Sequence, residues 1–260
     1  ISTDGKTVYV TSAFDNSITA FGVNASDGTL SSLQFVKDGI SGVNGLKGAE
    51  DVVVSPDNKY VYVAGEGENA IGIFSRNVNT GMLTFQGFKQ NGIDGIGGIG
   101  GVSNLAFDPS GTHLYATGAD ENALAVFQIN ANNGDLIFEK SQTDNLNNVN
   151  GLGGAQGVIV SGDNRYIYVT AKTDDAIGIF SCTYIVDMEE TICQGDSVVV
   201  GASTYKNSGA YLDTFAFGGC WTVIALDLTV YPDQVEINEE ICQSGSYTFN
   251  GQTYSTSGTY

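Results

Sequence analysis

The chain has 260 residues, room for one large domain or two smaller ones. Acidic residues outnumber basic ones 29 to 10, and the net charge of −19 argues against nucleic acid, since few cations are present to replace phosphate counterions, and disfavours attraction to anionic lipid. A hydrophobic content of 42% argues against global disorder, and no apolar run of ~18 residues exists to form a transmembrane helix.

The first strong signal is an internal repeat. Tyr9, Tyr62, Tyr115 and Tyr168 are each 53 residues apart, as are Phe21, Phe74, Phe127 and Phe180. Gly28, Gly81 and Gly134 keep the same step, without insertion or deletion between residues 2 and 181. In the second unit the reading is four short strands. Asp51–Ser55 is apolar and β-branched, Pro56–Lys59 is a turn, and Tyr60–Ala64 is the next strand. A turn at Gly65–Asn69 leads to a third strand at Ala70–Phe74, and Asn79-Thr80-Gly81 turns the chain into a fourth at Leu83–Phe88. No stretch has helical spacing, so the class is all-β, and four strands per unit of this length predict a propeller blade.

Two features recur in each unit. The turn before the third strand carries an acid, at Asp15, Glu68, Glu121 and Asp174, followed by Asn16, Asn69, Asn122 and Asp175. Such residues suit a turn in the left-handed region, and the carboxylates are also candidate calcium ligands. The connection between units is Gly-rich, with apolar residues at every third place: Ile40, Val43, Leu46, then Ile93, Ile96, Ile99, then Leu146, Val149, Leu152. This period fits neither helix nor strand, and the loops are expected on the same face as the acidic turns, as loop packing or as a partner-binding surface.

The residues Ser55-Pro56-Asp57-Asn58-Lys59-Tyr60-Val61-Tyr62-Val63, then Glu68-Asn69-Ala70-Ile71, Phe74-Ser75-Arg76 and Thr80-Gly81-Met82-Leu83-Thr84-Phe85 resemble the lactonase-type (phosphogluconolactonase-like) seven-bladed propellers. The resemblance covers about residues 1–181 and implies the fold more strongly than the activity. The units amount to about three and a half blades, whereas seven need about 370 residues, so the chain is expected to belong to a longer one.

A second repeat, of 49 residues, begins where the first stops. Ile192-Cys193 matches Ile241-Cys242, and Tyr205 matches Tyr254. The expected organisation is blades over 1–182, a small β-sandwich-like module over 183–234 and the start of another over 235–260. The run Ile241-Cys242-Gln243-Ser244-Gly245-Ser246-Tyr247-Thr248-Phe249-Asn250-Gly251-Gln252-Thr253-Tyr254 is similar to Bacteroidota-type extracellular stalk or adhesin repeats, which implies an extracellular, cell-surface, adhesive protein. All four cysteines lie in this region. Zinc is disfavoured because there is no Cys-x-x-Cys pair, and the favoured pairing is a Cys193–Cys220 disulfide within one repeat copy.

Catalysis finds little support in the sequence. His113 is the only histidine and fills the slot of Tyr60 and Tyr166, while Arg76 and Arg165 occupy different repeat positions. The expectation is a non-catalytic structural or adhesive filament-forming protein without a cofactor other than calcium, whose partners are copies of itself, other surface proteins or glycans. The alternatives are a carbohydrate- or ligand-binding propeller and a lactonase-type hydrolase.

Overall fold

The computed structural model describes all residues except 148, 182, 202, 218–219, 233–238 and 259–260. The side chains of 183–185, 214–217 and 220–222 also lie outside the description. The chain divides into two compact units, one of Ile1–Ile185 with Thr214–Val223, the other of Val186–Asp213 with Ile224–Tyr260.

The first unit is built from four antiparallel sheets. Blade 1 has three strands, β1 (Thr7–Ser12), β2 (Ser17–Val23) and β3 (Leu30–Lys37). Blade 2 has four, β4 (Ala49–Val54), β5 (Tyr60–Gly65), β6 (Ala70–Arg76) and β7 (Leu83–Gln90). Blade 3 repeats it with β8 (Val102–Phe107), β9 (His113–Gly118), β10 (Ala123–Ile129) and β11 (Leu136–Thr143). Blade 4 has β12 (Ala155–Val160), β13 (Tyr166–Ala171) and β14 (Ala176–Ser181). This is the all-β, partial, unclosed propeller expected from the 53-residue repeat.

Alternation along each strand serves two neighbours at once, because successive side chains point to opposite faces. In β5, Val61 and Val63 pack with Tyr9, Ile18 and Ala20 of blade 1. Tyr62 and Ala64 face the other way, toward Ile99, Leu105 and Phe127 of blade 3. Each valine, leucine, isoleucine or phenylalanine among them stabilises the stack by about 1.5–3 kcal/mol when fully buried. The tyrosine of the repeat also reaches the next blade with its hydroxyl. Tyr9 donates to the Gly81 carbonyl at 2.6 Å and Tyr62 to the Gly134 carbonyl at 2.8 Å.

The strands after blade 4 form smaller sheets. β15 (Thr183–Cys193), β18 (Gly209–Phe217) and β19 (Cys220–Tyr231) form one sheet in the order β15-β19-β18. β16 (Val198–Val200) pairs with β17 (Ser203–Tyr205), and β20 (Tyr247–Phe249) with β21 (Gln252–Tyr254).

The predicted Cys193–Cys220 disulfide is not formed: Cys193 and Cys242 are free, exposed thiols. The reason is strand position. Gln194, directly after Cys193, donates its backbone N–H to the Tyr231 carbonyl at 2.8 Å. That is the end of β19 opposite to Cys220, about 36 Å along an extended strand, whereas a disulfide needs α-carbons within ~7 Å. Cys182 and the Cys220 side chain lie outside the described residues. The staple that supported an extracellular setting is therefore absent at Cys193.

Candidate functional site at the inner-strand bulges

β4, β8 and β12 open their blades and contact one another in turn, which makes them the inner strands. Each carries a bulge near its start. The pairing of β4 with β5 skips Glu50, that of β8 with β9 skips Ser103, and that of β12 with β13 skips Gln156. A bulge frees one residue from the ladder and re-aims its side chain, and bulges are over-represented beside active sites. Glu50 and Gln156 are exposed and Ser103 is half-buried. Thr11 donates to the Glu50 carbonyl at 3.1 Å, and Thr117 to the Gln156 carbonyl at 2.8 Å, so the preceding blade fixes two of the bulges. Sequence reasoning passed over these positions because their chemistry differs in each unit. The signal lay in a common offset, two residues after Gly48, Gly101 and Gly154.

The acidic turns lie beside the bulges, and their carboxylates bind backbone. Glu68 Oε2 accepts the Gly45 N–H at 2.8 Å. Glu121 Oε2 accepts the N–H groups of Gly98 at 2.6 Å and Gly100 at 3.1 Å, and its Oε1 accepts from Asn91 Nδ2 at 3.0 Å. Asp174 Oδ2 accepts the Gly153 N–H at 2.8 Å. Each of these carboxylates holds the Gly-rich loop that enters its own blade. Asp15 instead accepts from the Ser12 hydroxyl at 3.3 Å. The four are distributed one per blade, and among the described residues no three His, Cys, Asp or Glu side chains are placed to hold a metal ion. Burial pushes the Glu121 carboxyl up, but the hydrogen bonds from Asn91, Gly100 and Gly98 outweigh it and hold it below its ordinary value.

The residue after each acid does a different task. Asn16, Asn69, Asn122 and Asp175 all have φ near +50°, the left-handed conformation anticipated for this turn. Asn16 Oδ1 accepts the Gly48 N–H at 2.8 Å, Asn69 Oδ1 that of Gly101 at 2.7 Å, and Asn122 Oδ1 that of Gly154 at 2.7 Å. The carboxylate thus ties a loop within a blade, and the amide ties it to the blade before. Of the period-three residues, Leu46, Ile99 and Leu152 are fully buried, while Ile40, Ile93 and Leu146 are exposed.

His113 is buried, with Nδ1 3.0 Å from Thr112 Oγ1 and 3.6 Å from Asp108, and Nε2 3.6 Å from Glu139. Arg76 has a side chain 0% exposed. Its guanidinium donates to Tyr9 Oη at 2.9 Å, Thr7 Oγ1 at 3.1 Å and the Asn58 carbonyl at 3.2 Å. It is an interblade clamp. Arg165 is exposed beside Asp163.

A family model described as "Lactonase, 7-bladed beta-propeller" matches residues 1–144 and again 100–195. A curated 6-phosphogluconolactonase of Pectobacterium carotovorum subsp. carotovorum (strain PC1) is 23% identical over 128 residues, covering 49% of this chain and 36% of that protein. A structure provisionally named 6-phosphogluconolactonase, from Bacteroides uniformis ATCC 8492, superposes with a TM-score of 0.57 at 20% identity, over 70% of this chain and 48% of that one. A functionally unknown protein from Desulfotomaculum acetoxidans DSM 771 gives 0.55 at 20% identity, over 70% and 53%. At these identities the structural likenesses establish the fold alone. The chain spans about a third of the curated relative and about half of each solved structure.

These matches overturn two expectations. The family model is that of a lactonase, and the curated relative is named a 6-phosphogluconolactonase, so a non-catalytic structural or adhesive role and the exclusion of an enzyme do not stand. Neither the family model nor the curated relative is described as adhesive or filament-forming. The misreading came from requiring one blade to look different overall, whereas the bulged position is one of the places where the blades differ, with Glu50, Ser103 and Gln156 at equivalent sites.

Proposed function

The chain belongs to the lactonase family of seven-bladed β-propellers, and from that premise we propose that it forms part of a hydrolase acting on a sugar-derived lactone, with the inner-strand bulges contributing to the site. The family match carries this reading, and the bulges supply suitable groups. A lactone is a cyclic ester. Water adds to its carbonyl carbon, the ring C–O bond breaks, and the proton taken from water returns to the departing alkoxide. Glu50, an exposed carboxylate on an inner strand, is suited to accept the water proton and return it. The Gln156 amide is suited to donate to the oxygen on which charge develops, whereas the Ser103 hydroxyl already donates to the Gln156 carbonyl at 3.1 Å.

The test is proton release from glucono-δ-lactone and from 6-phosphogluconolactone by the full chain, measured against spontaneous opening. The expected result is turnover above background that falls at least ~10²-fold in Glu50→Gln. Opening no faster than the spontaneous rate with either lactone would overturn the reading. Turnover unchanged in E50Q would remove Glu50 from it. The family match ends at residue 195, and for the repeats beyond it we propose an appended module of Cys-containing repeats. Calcium at the acidic turns is a separate proposal, supported by the exposed edges of Asp15 and Asp174.

A further inference from the structure

Five Asn-Gly pairs occur in the chain, at Asn44, Asn91, Asn133, Asn150 and Asn250. Glycine has no Cβ to shield its backbone nitrogen, so in such a pair that nitrogen can approach the asparagine amide carbon and attack it. The fold treats the pairs unequally. The N–H of Gly92 donates to the Ile96 carbonyl and that of Gly134 to the Asn130 carbonyl, both at 2.8 Å. The Gly45 N–H donates to Glu68 Oε2 at 2.8 Å. Gly98, at the same place in the next unit, gives its N–H to Glu121 Oε2 at 2.6 Å, and that oxygen also accepts from Gly100. Blade 4 has an aspartate instead. Asp174, one methylene shorter, accepts the N–H of Gly153, the counterpart of Gly100, at 2.8 Å. Among the described residues the N–H of Gly151, the counterpart of Gly45, has no hydrogen-bond partner, and Asn150 before it is exposed. Asn44 is exposed as well, so the two equivalent pairs differ in whether a carboxylate holds the glycine nitrogen.

We infer that Asn150 is a site of spontaneous covalent modification, deamidation through a cyclic imide. The Gly151 backbone nitrogen, giving up its proton, bonds to Asn150 Cγ. The bond from Cγ to the amide nitrogen breaks, and ammonia leaves with that proton. Water then adds to either carbonyl of the imide ring and opens it, leaving aspartate or isoaspartate. The sum is asparagine plus water giving an acid plus ammonia, with no oxidant or other reagent. Either product adds a negative charge to a chain already at −19, and isoaspartate also routes the main chain through one extra carbon. That lengthening falls directly before Leu152, Gly153 and Gly154, whose N–H groups are fixed by Asp144, Asp174 and Asn122 on the approach to the bulged Gln156. The inference rests on the hydrogen bonding of the loops and is independent of the hydrolase reading.

The test holds the full chain in mildly alkaline buffer at physiological temperature, samples it over days and digests it for mass spectrometry, which reads the conversion of amide to acid at each Asn-Gly pair. Asn150 should convert at least ~10-fold faster than Asn44, because the Gly45 nitrogen must first give up a bond to a charged group. Asn91 and Asn133 should be slow as well. Asn250, in the exposed turn between β20 and β21, has a glycine N–H that is likewise without a partner among the described residues, and it serves as the reference for an unguarded pair. In denaturant the five rates should converge, since nothing then holds the glycines. Asp174→Glu should bring Asn150 down toward the rate of Asn44, and Glu68→Asp should raise Asn44 toward that of Asn150, with thermal melting as the check that both variants stay folded. Asn44 keeping pace with Asn150 in the folded chain, or an Asn150 rate indifferent to D174E, would overturn the inference. So would an Asn150 rate in the folded chain no higher than those of Asn91 and Asn133.

Discussion

Glu121 shows how much one side chain can hold in this repeat. Its carboxylate satisfies two backbone N–H groups and the Asn91 amide, and removing it strands buried donors, which costs more than the bonds themselves are worth. Glu121→Ala should lower stability by about 1–3 kcal/mol in denaturant melts, whereas Asp15→Ala, with its single long bond to Ser12, should change it little. The pH dependence follows from the depressed carboxyl. Because Glu121 in the folded chain sits below its ordinary 4.5, its contribution is complete above that value and is lost as pH falls through the lower folded one. The gap in melting temperature between the wild type and Glu121→Gln should therefore be constant near neutrality and close in acid. A gap that widened on acidification would show the sign to be wrong. The calcium proposal is checked on the same residues: if the ion is bound, EDTA lowers the melting temperature by several degrees, and an identical curve returns Asp15, Glu68, Glu121 and Asp174 to a purely structural role.

At the level of the element, equal backbone need not mean equal tolerance. Gly28 and Gly134 occupy the same place in the turn before the last strand, and both have φ of 72°. A Cβ on Gly28 would meet nothing, whereas one on Gly134 would run into the Tyr60 ring of the neighbouring blade. Gly28→Ala should cost only the conformational strain, about 1 kcal/mol. Gly134→Ala should cost clearly more, since the blades must part, and equal losses in the two variants would show that the blade contact there is slack. This contrast also marks what the sequence could reveal. The strands around Tyr62 and Phe74 were legible to within two residues, because their alternation encodes two buried faces and their turns carry Pro56 and Gly81. The left-handed turns at Asn69 and Asn122 were legible from residue type. Their long-range use was not: that Asn69 reaches Gly101, or that Glu121 reaches Gly98, depends on how blades stack. The bulges at Glu50, Ser103 and Gln156 were hidden for a related reason, since a one-residue slip between two strands has no composition of its own.

Across the whole molecule, one sign of charge dominates. A chain with 29 acidic and 10 basic residues repels itself when compact, and among the described residues the attractive pairs that salt could weaken are few. Arg76–Asp4 and Lys89–Asp135 are at least partly sheltered, while Lys59–Asp57 and Arg165–Asp163 are exposed and worth little. The tyrosine hydroxyls, asparagine clamps and apolar faces that join the blades are neutral, so screening leaves them intact. Raising NaCl shortens the range of the repulsion from about 30 Å at 10 mM to roughly 4 Å at 0.5 M. The melting temperature should therefore rise by several degrees across that range and then level off, with the same trend in potassium chloride. A melting temperature that fell with salt would mean that the ion pairs around Arg76 and Lys89 carry more of the fold than the neutral contacts between blades.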